Sequence, residues 1–389
     1  MEARYQLRHG PLVPELYHLF LIQGTKGRSL ILTWKSSQYF DNLLRRTKMS
    51  TKRVLTGMRT TGQLHLGHYA GALKLWLDAQ ESKKYECFFL LADVQALTTH
   101  ANKPEVLEES VKETVLDWLS VGLDPSLSRV NFVLQSQVTE RAELSVLLSM
   151  VARYKEVLRN PTLKDESIAL KDPSLGFINY PVDQVADILM ISSYPPKKGD
   201  EILVPVGNDQ VPHLEYARTL ARRFNQMYKK EVFIPCKPLV GEVGRLVGID
   251  GHSKMSKSKG NTINLTDDAE TVTKKVGRMF TDPNRIHADT PGETEKNPVF
   301  VYLRAFHPNQ DKVEEMAALY RKGKIGDVAV KKELAEALND FLEPIRERRA
   351  KYKDEDIRKI LELGTKVAQE ICKPVVEAAR EAMHLVYPR

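Results

Sequence analysis

The sequence predicts an α/β fold: a Rossmann-like parallel-sheet catalytic domain followed by an all-helical C-terminal domain. Three observations carry this. From residue 53 onward, short β-rich runs alternate with amphipathic helical stretches, the pattern of a mainly parallel sheet covered on both faces. After about residue 266 the strand signals stop and only helical periodicity remains. Two short signatures, His65-Leu66-Gly67-His68 and Lys254-Met255-Ser256-Lys257-Ser258, fall in loops of the alternating part. Such sheets bind ligands beyond the carboxyl ends of their strands.

The elements follow in order. Residues 53–56 form a short β-rich run, and a Gly/Thr loop follows it. Tyr69, Ala72, Leu73 and Trp76 then recur at the spacing of one helix face. Residues 87–92 read as a buried strand, and 106–121 as a helix with Val111, Val115, Leu116 and Leu119 on one face. Residues 131–135 and 202–206 supply further strands. In the C-terminal part, Val313, Met316, Ala317 and Tyr320 fit one helix face. Leu334, Leu338, Phe341, Leu342 and Ile345 fit a second, and Ile357, Ile360, Leu361, Val367 and Ile371 a third. Pro344 and Pro374 should kink or bound these helices. The expected division is an extension over 1–48, a catalytic domain over 49–265 and a helical domain over 266–389.

Composition narrows the class. Hydrophobic content of 42% with 28% charged residues is that of a globular protein with a substantial core. No apolar run approaches the roughly 20 residues that span a bilayer. The run at 16–22 is interrupted by Tyr17 and His18, and no small-residue cleavage site follows it. Cys87, Cys236 and Cys372 are few and far apart, which argues against a disulfide framework or clustered metal site and favours the cytoplasm. The net charge is +7, but eight Lys/Arg and three Asp/Glu lie within 1–48, leaving +2 for the rest. A nucleic-acid surface on the body must therefore be a local patch. Residues 1–48 show no sustained period and no matched partner element, and the sequence restarts at Met49 like a natural N-terminus. They read as an extension outside the fold, with a targeting segment as the rival.

Each signature has a physical rationale. Gly57, Gly62 and Gly67 let backbone approach a ligand closely. The start of the following helix offers unpaired N–H groups and a positive dipole end suited to phosphate. His65 and His68 add donors three positions apart. The second signature is cationic and flanked by Gly244, Gly248, Gly251 and Gly260, so a mobile loop is expected that closes over a nucleotide and stabilises charge on transferring phosphates. Asp187 stands alone as an acid in the apolar run VADILMI, where a buried carboxylate needs a partner.

HLGH paired with KMSKS resembles the class I aminoacyl-tRNA synthetases. Tyr180-Pro-Val-Asp-Gln-Val-Ala-Asp187 and ILVPVGNDQVPHLEYARTLARRFN at 202–225 are similar to the tryptophanyl branch of bacterial type. The resemblance runs from about residue 53 to the C-terminus. It implies that Arg59, Thr60 and Thr61 contact ATP, with Gly67 and His68 on the phosphate side. It implies that Gly207, Asn208 and Asp209 contact the ribose, Leu246 the adenine, and Lys254, Met255, Ser256, Lys257 and Ser258 the pyrophosphate. Asp187 would accept the indole N–H. Gly57, Tyr180, Gln184 and Gln210 would surround the amino acid. Two positions depart from the pattern: Thr60 replaces the usual proline, and Gln184 replaces a methionine found in many bacterial members.

The implied chemistry is attack of the tryptophan carboxylate on the α-phosphate of ATP, then transfer of the tryptophanyl group to the 3′ end of tRNA(Trp). His65, His68, Lys254 and Lys257 would supply charge stabilisation without a covalent bond. Mg²⁺ would come with the ATP, and no metal ligands are expected from protein side chains. The resemblance also implies a homodimer, with no membrane or DNA partner. Arg346, Arg348, Arg349, Lys351 and Lys353 form a basic stretch in the helical part: a tRNA contact, or simply a solvated helix face. Three other readings stay open: a tyrosyl-tRNA synthetase, an adenylate-forming ligase of HxGH type without tRNA, and a non-catalytic tRNA-binding paralogue.

Overall fold

The computed structural model describes residues 17–23, 29–35 and 51–386, except 161–162, 165–166, 168–171, 207–210, 241–245, 254, 283–284, 286 and 288. The chain divides into two compact units, Met1–Thr51 and Lys52–Arg389.

In the first unit, β1 (Tyr17–Gln23) and β2 (Ser29–Lys35) pair antiparallel, with Tyr17 opposite Lys35 and Gln23 opposite Ser29. The expectation that this segment lacks a partner element is corrected: it supplies its own. Both runs are rich in Ile, Leu and aromatic residues, which favour strands.

The second unit is built on a five-stranded sheet in the order β5-β4-β3-β6-β7, all parallel. The strands are β3 (Lys52–Arg59), β4 (Glu86–Ala92), β5 (Val130–Leu134), β6 (Glu201–Val206) and β7 (Lys237–Val240). The order reverses between β3 and β6, which makes a switch-point crevice at their carboxyl ends. The β3–β6 ladder covers Lys52–Val54 against Glu201–Leu203; beyond it, Thr56 Oγ1 donates to the Pro205 carbonyl at 3.4 Å. The first signature follows β3 at this splayed end.

The connecting helices are α1 (Lys74–Glu81), α2 (Asp93–His100), α3 (Glu105–Val121), α4 (Thr139–Ser149), α5 (Leu175–Leu189) and α6 (Val211–Tyr228). The helix expected around Tyr69 is less regular than its spacing predicts. A turn at Leu66–His68 passes through a π-helical turn at Tyr69–Leu73 before α1. Such wide turns concentrate at functional sites. Trp76 and Trp118 carry α1 and α3 onto the sheet, with ring centroids 5.4 Å from Phe89 and 5.3 Å from Phe132 respectively.

The remaining helices are α7 (Ala269–Gly277), α8 (Pro298–Phe306), α9 (Gln310–Arg321), α10 (Asp327–Arg349) and α11 (Asp354–Ala382). Val313, Met316, Ala317 and Tyr320 are buried on α9, and Leu334, Leu338, Leu342 and Ile345 on α10. Pro344 and Pro374 do not bound helices: α10 and α11 run through them. Packing of long apolar faces outweighs one lost main-chain bond. One apolar core runs continuously from Val54 in β3 to Leu361 in α11. α11 covers the β5 edge of the sheet. There the Leu134 N–H donates to Thr365 Oγ1 at 3.0 Å, so an otherwise open strand edge finds a partner.

Candidate active site

The first signature begins where β3 ends. His65 caps the turn, and its N–H donates to His68 Nδ1 at 3.1 Å. That bond makes Nδ1 the acceptor and puts the proton of a neutral His68 ring on Nε2. The two imidazoles lie 3.8 Å apart between centroids. Asp117 of α3 fixes the approach to this turn by accepting the Leu64 N–H at 2.7 Å.

The second signature and the segment that leaves it lie against the first. Leu66 N–H donates to the Ile263 carbonyl at 2.9 Å, Leu265 N–H donates to the Leu64 carbonyl at 3.0 Å, and His65 bridges Asn264. Met255 is buried, with its sulfur 3.3 Å from the Gly67 nitrogen. Lys257 Nζ donates to the Thr61 carbonyl at 3.2 Å. The loop has its own frame as well. Asn261 Oδ1 accepts the Ser256 N–H at 2.7 Å, while its amide nitrogen reaches Asp250 Oδ2 at 2.9 Å. Burial would raise the Asp250 pKa, but hydrogen bonds from Ser253, Asn261 and His252 outweigh it and bring it down to about 2. Asp250 and Asn261 thus hold the two ends of the loop together.

Cations gather at the junction. Desolvation lowers the pKa of Lys257, and the nearby Asp117 carboxylate resists that fall. Asp117 itself is fully buried. Desolvation pushes it up to about 6, against the Leu64 hydrogen bond and the Arg349 guanidinium. The result is a site where the Lys257 ammonium and the two imidazoles lie beyond the end of the central strand, a set suited to polyphosphate.

Asp187 anchors a second cluster, built from elements that follow the carboxyl ends of β4 and β5. Arg141 Nε reaches Asp187 Oδ1 at 2.6 Å, and Gln135 Nε2 reaches its two oxygens at 3.0 and 2.9 Å. Gln135 Oε1 in turn accepts the Gln95 N–H at 3.1 Å. Arg141 also pairs with Asp183. Burial pushes Asp187 up to about 6, while Arg141 opposes the rise. Burial works against the charge on Arg141 too, and Asp187 and Asp183 more than offset it.

The other expected residues are placed as follows. Gly57 faces the β4 backbone so closely that a Cβ would fall 2.3 Å from the Leu90 carbonyl oxygen, which alone requires glycine there. Thr60 is fully buried, and its hydroxyl has no hydrogen-bond partner among the described residues. Leu246 is buried in the core. Tyr180 is buried on α5, its ring 5.7 Å from Phe177 and 6.4 Å from His213, and Gln184 is half-buried one turn before Asp187. Gly207, Asn208, Asp209, Gln210 and Lys254 lie outside the described residues, as does the side chain of Ser258.

Sequence reasoning missed Asp117, Gln135 and Arg141. All three are buried polar residues that needed partners, and a lone acid between Leu116 and Trp118 was a readable sign for the first. It also misjudged the basic stretch. Arg346 donates to the Asp267 carbonyl at 2.9 Å, Arg348 to the Ser120 carbonyl at 2.6 Å, and Arg349 pairs with Asp117 at 2.6 Å and Glu113 at 2.8 Å. These three arginines are engaged within the fold instead of forming a solvated face; Lys351 and Lys353 remain exposed.

Comparison with known proteins accords with this geometry. The chain is 44% identical over 342 residues to a tryptophan–tRNA ligase of Chlamydia caviae, covering 86% of this chain and 96% of the relative. A crystal structure of tryptophanyl-tRNA synthetase from Campylobacter jejuni complexed with ADP and tryptophan superposes with a TM-score of 0.74 at 31% identity, over 85% of this chain and 99% of that one. A tyrosyl-tRNA synthetase of Archaeoglobus fulgidus complexed with L-tyrosine is also similar, with a TM-score of 0.57 at 25% identity over 79% and 94% of the two chains. The family described as tRNA synthetases class I (W and Y) matches residues 47–343, and the chain belongs to it.

Proposed function

We propose that this chain is a tryptophan–tRNA ligase, activating L-tryptophan with ATP and transferring it to the 3′ end of tRNA(Trp). The observation that carries the adenylation reading is the closure of the second signature on the first: Lys257 Nζ on the Thr61 carbonyl and Met255 on Gly67, at the carboxyl end of the central strand. In this reading the turn at His65–His68 and the Lys257 ammonium receive the phosphates and stabilise the charge that builds on them as pyrophosphate leaves. No side chain forms a covalent bond. The ammonium placed here, that of Lys257, matches phosphate oxygens and not a dication. Mg²⁺ would accordingly travel on the nucleotide, and none of the roles given to these residues depends on it.

Choice of amino acid rests on Asp187. Its carboxylate is held by Arg141 and Gln135, leaving lone pairs to accept the indole N–H. A side chain lacking that donor leaves a buried acceptor unsatisfied, and such omissions carry large penalties. Tyr180 and Gln184 on the same helix, together with Gly57 and Gln210, would complete the amino-acid pocket. Arg59, Thr60, Thr61, Gly207, Asn208, Asp209, Leu246 and residues 254–258 would hold ATP.

Residues 266–389 would form the tRNA anticodon-binding part, and 49–265 the catalytic part. Exposed apolar side chains at Val146 of α4, at Met150 just past it, at Tyr154, and at Leu175 at the start of α5 support a homodimer. The few, widely spaced cysteines, Cys87, Cys236 and Cys372, fit a reducing compartment such as the cytoplasm. The test is exchange of pyrophosphate into ATP, followed by aminoacylation, with tryptophan and tyrosine in parallel. Tryptophan-dependent activity is expected. Tyrosine dependence would overturn the substrate assignment, and exchange without tRNA charging would favour an adenylating ligase of another kind.

A further inference from the structure

We infer that Arg346 and Arg349, one turn apart at the end of α10, are positioning residues for adenylation: together they clasp the segments that carry both signatures. The inference rests on the adenylation reading above. Arg349 forks between two carboxylates one turn apart on α3, Asp117 at 2.6 Å and Glu113 at 2.8 Å. Each carboxylate continues into the approach to His65. Asp117 Oδ2 accepts the Leu64 N–H at 2.7 Å, and Glu113 Oε2 accepts from Gln63 Nε2 at 3.1 Å. Gln63 Oε1 then accepts from Thr266 Oγ1 at 3.1 Å, on the exit from the second signature.

Arg346 reaches the same place from the other side. Its Nε donates to the Asp267 carbonyl at 2.9 Å, and Asp267 Oδ2 accepts the Asn264 N–H at 2.8 Å. Asn264 is the residue that bridges His65. The two routes from one helix turn thus end on Leu64, the residue before His65, and on Asn264, its bridge partner. Asp117 is fully buried, and the side chains of Arg349 and Glu113 are 19% and 17% exposed, so the fork is shielded from water. A shielded, two-pronged guanidinium fixes geometry in a way a surface ion pair does not. The same fork brings a positive charge to Asp117, beside the Leu64 N–H that its carboxylate also accepts. Arg346 and Arg349 are therefore assigned to the catalytic end of the molecule and not to tRNA contact.

The test uses the full chain carrying Arg349→Lys, Arg349→Met and Asp117→Asn, assayed by tryptophan-dependent pyrophosphate exchange without tRNA. Tryptophan binding by equilibrium dialysis and thermal melting are measured alongside. Lysine keeps the charge and the fold but cannot fork, so Arg349→Lys should lower kcat/KM for ATP about tenfold, with tryptophan Kd within about twofold. Arg349→Met should lose about a hundredfold, the scale of a small misplacement of reacting groups. Asp117→Asn combined with Arg349→Met should be no worse than the poorer single variant, because both cut one route. A folded Arg349→Lys protein with wild-type kcat/KM for ATP overturns the clasp. So does unchanged exchange with a raised KM for tRNA, which would make Arg349 a tRNA contact. Absence of exchange in the wild-type protein would instead remove the adenylation reading on which the clasp rests.

Discussion

Replacing Arg141 by Met puts the Asp187 cluster to a quantitative test. The Arg141 side chain is 3% exposed and that of Asp187 is 5%, and they meet at 2.6 Å. Removing one partner of such a pair leaves a buried charge uncompensated, at a cost of about 3–5 kcal/mol. Asp187 can escape part of that cost by taking up a proton. Its pKa is already pushed up to about 6 by burial, and loss of Arg141, the chief force opposing the rise, will carry it higher. The sign follows from linkage. A carboxyl whose folded pKa is raised contributes stability that is fully present below its unfolded pKa of about 3.9 and is lost as pH rises through the folded value. The variant should therefore be hurt least near pH 5 and most near pH 8. The difference between the two should be about 1.4 kcal/mol for each unit by which the pKa climbs above 6. Asp183, the other partner of Arg141, is partly exposed and can fall back on water. Urea denaturation of wild type and variant at both pH values reads the effect directly. The double variant Arg141→Met with Asp187→Asn should recover most of the loss at pH 8, because no buried charge remains. Equal losses at pH 5 and pH 8, or no recovery in the double variant, would refute the reasoning.

Three further outcomes are expected. Gly364→Ala would place a Cβ 2.2 Å from the Phe132 carbonyl oxygen, forcing α11 off the sheet edge. Overpacking of about 1–3 kcal/mol should exceed the helix-propensity gain of about 1 kcal/mol, so Tm should fall, and a rise would show that the helix can shift at no cost. Lys257→Ala should depress pyrophosphate exchange about a hundredfold or more while leaving tryptophan affinity nearly intact; parallel loss of both would argue against action in the transition state. A chain starting at Met49 should melt and charge tRNA like the full chain, since the family match begins at residue 47 and β1 finds its partner in β2; loss of charging would give residues 1–48 a role in the reaction.

Much of the frame was legible because it rests on local periodicity. The strand at Glu86–Ala92 and the helix at Glu105–Val121 fall almost where their patterns predict, as do the apolar faces of α9 and α10. Strand order was not legible, since nothing in a local window tells β3 that its neighbours are β4 and β6. The prolines misled for a related reason. A helix-breaking residue is a local penalty of about 3 kcal/mol. α10 and α11 bury long apolar faces on both sides of Pro344 and Pro374, and that gain is spread over many residues. The hairpin in the first unit was hidden because neither run shows a sustained alternation of apolar and polar residues.

The candidate site shows the same limit more sharply. Sequence could say that Asp187, the one acid in the apolar run VADILMI, needs a partner; it could not say that the partner is Arg141, 46 residues away. It could equally have said so of Asp117, which sits between Leu116 and Trp118 on a helix otherwise packed against the sheet. That acid is the missing half of the basic stretch, whose Arg349 lies 232 residues further on. A run of cations invites a nucleic-acid reading when counted alone. Counted against buried acids that must be neutralised, part of the run is already committed. Burying a carboxylate costs several kcal/mol unless a cation and hydrogen bonds offset it. The unpaired acid is therefore the stronger constraint, and it claims its arginine before any polyphosphate can. Lys351 and Lys353, by contrast, stay exposed.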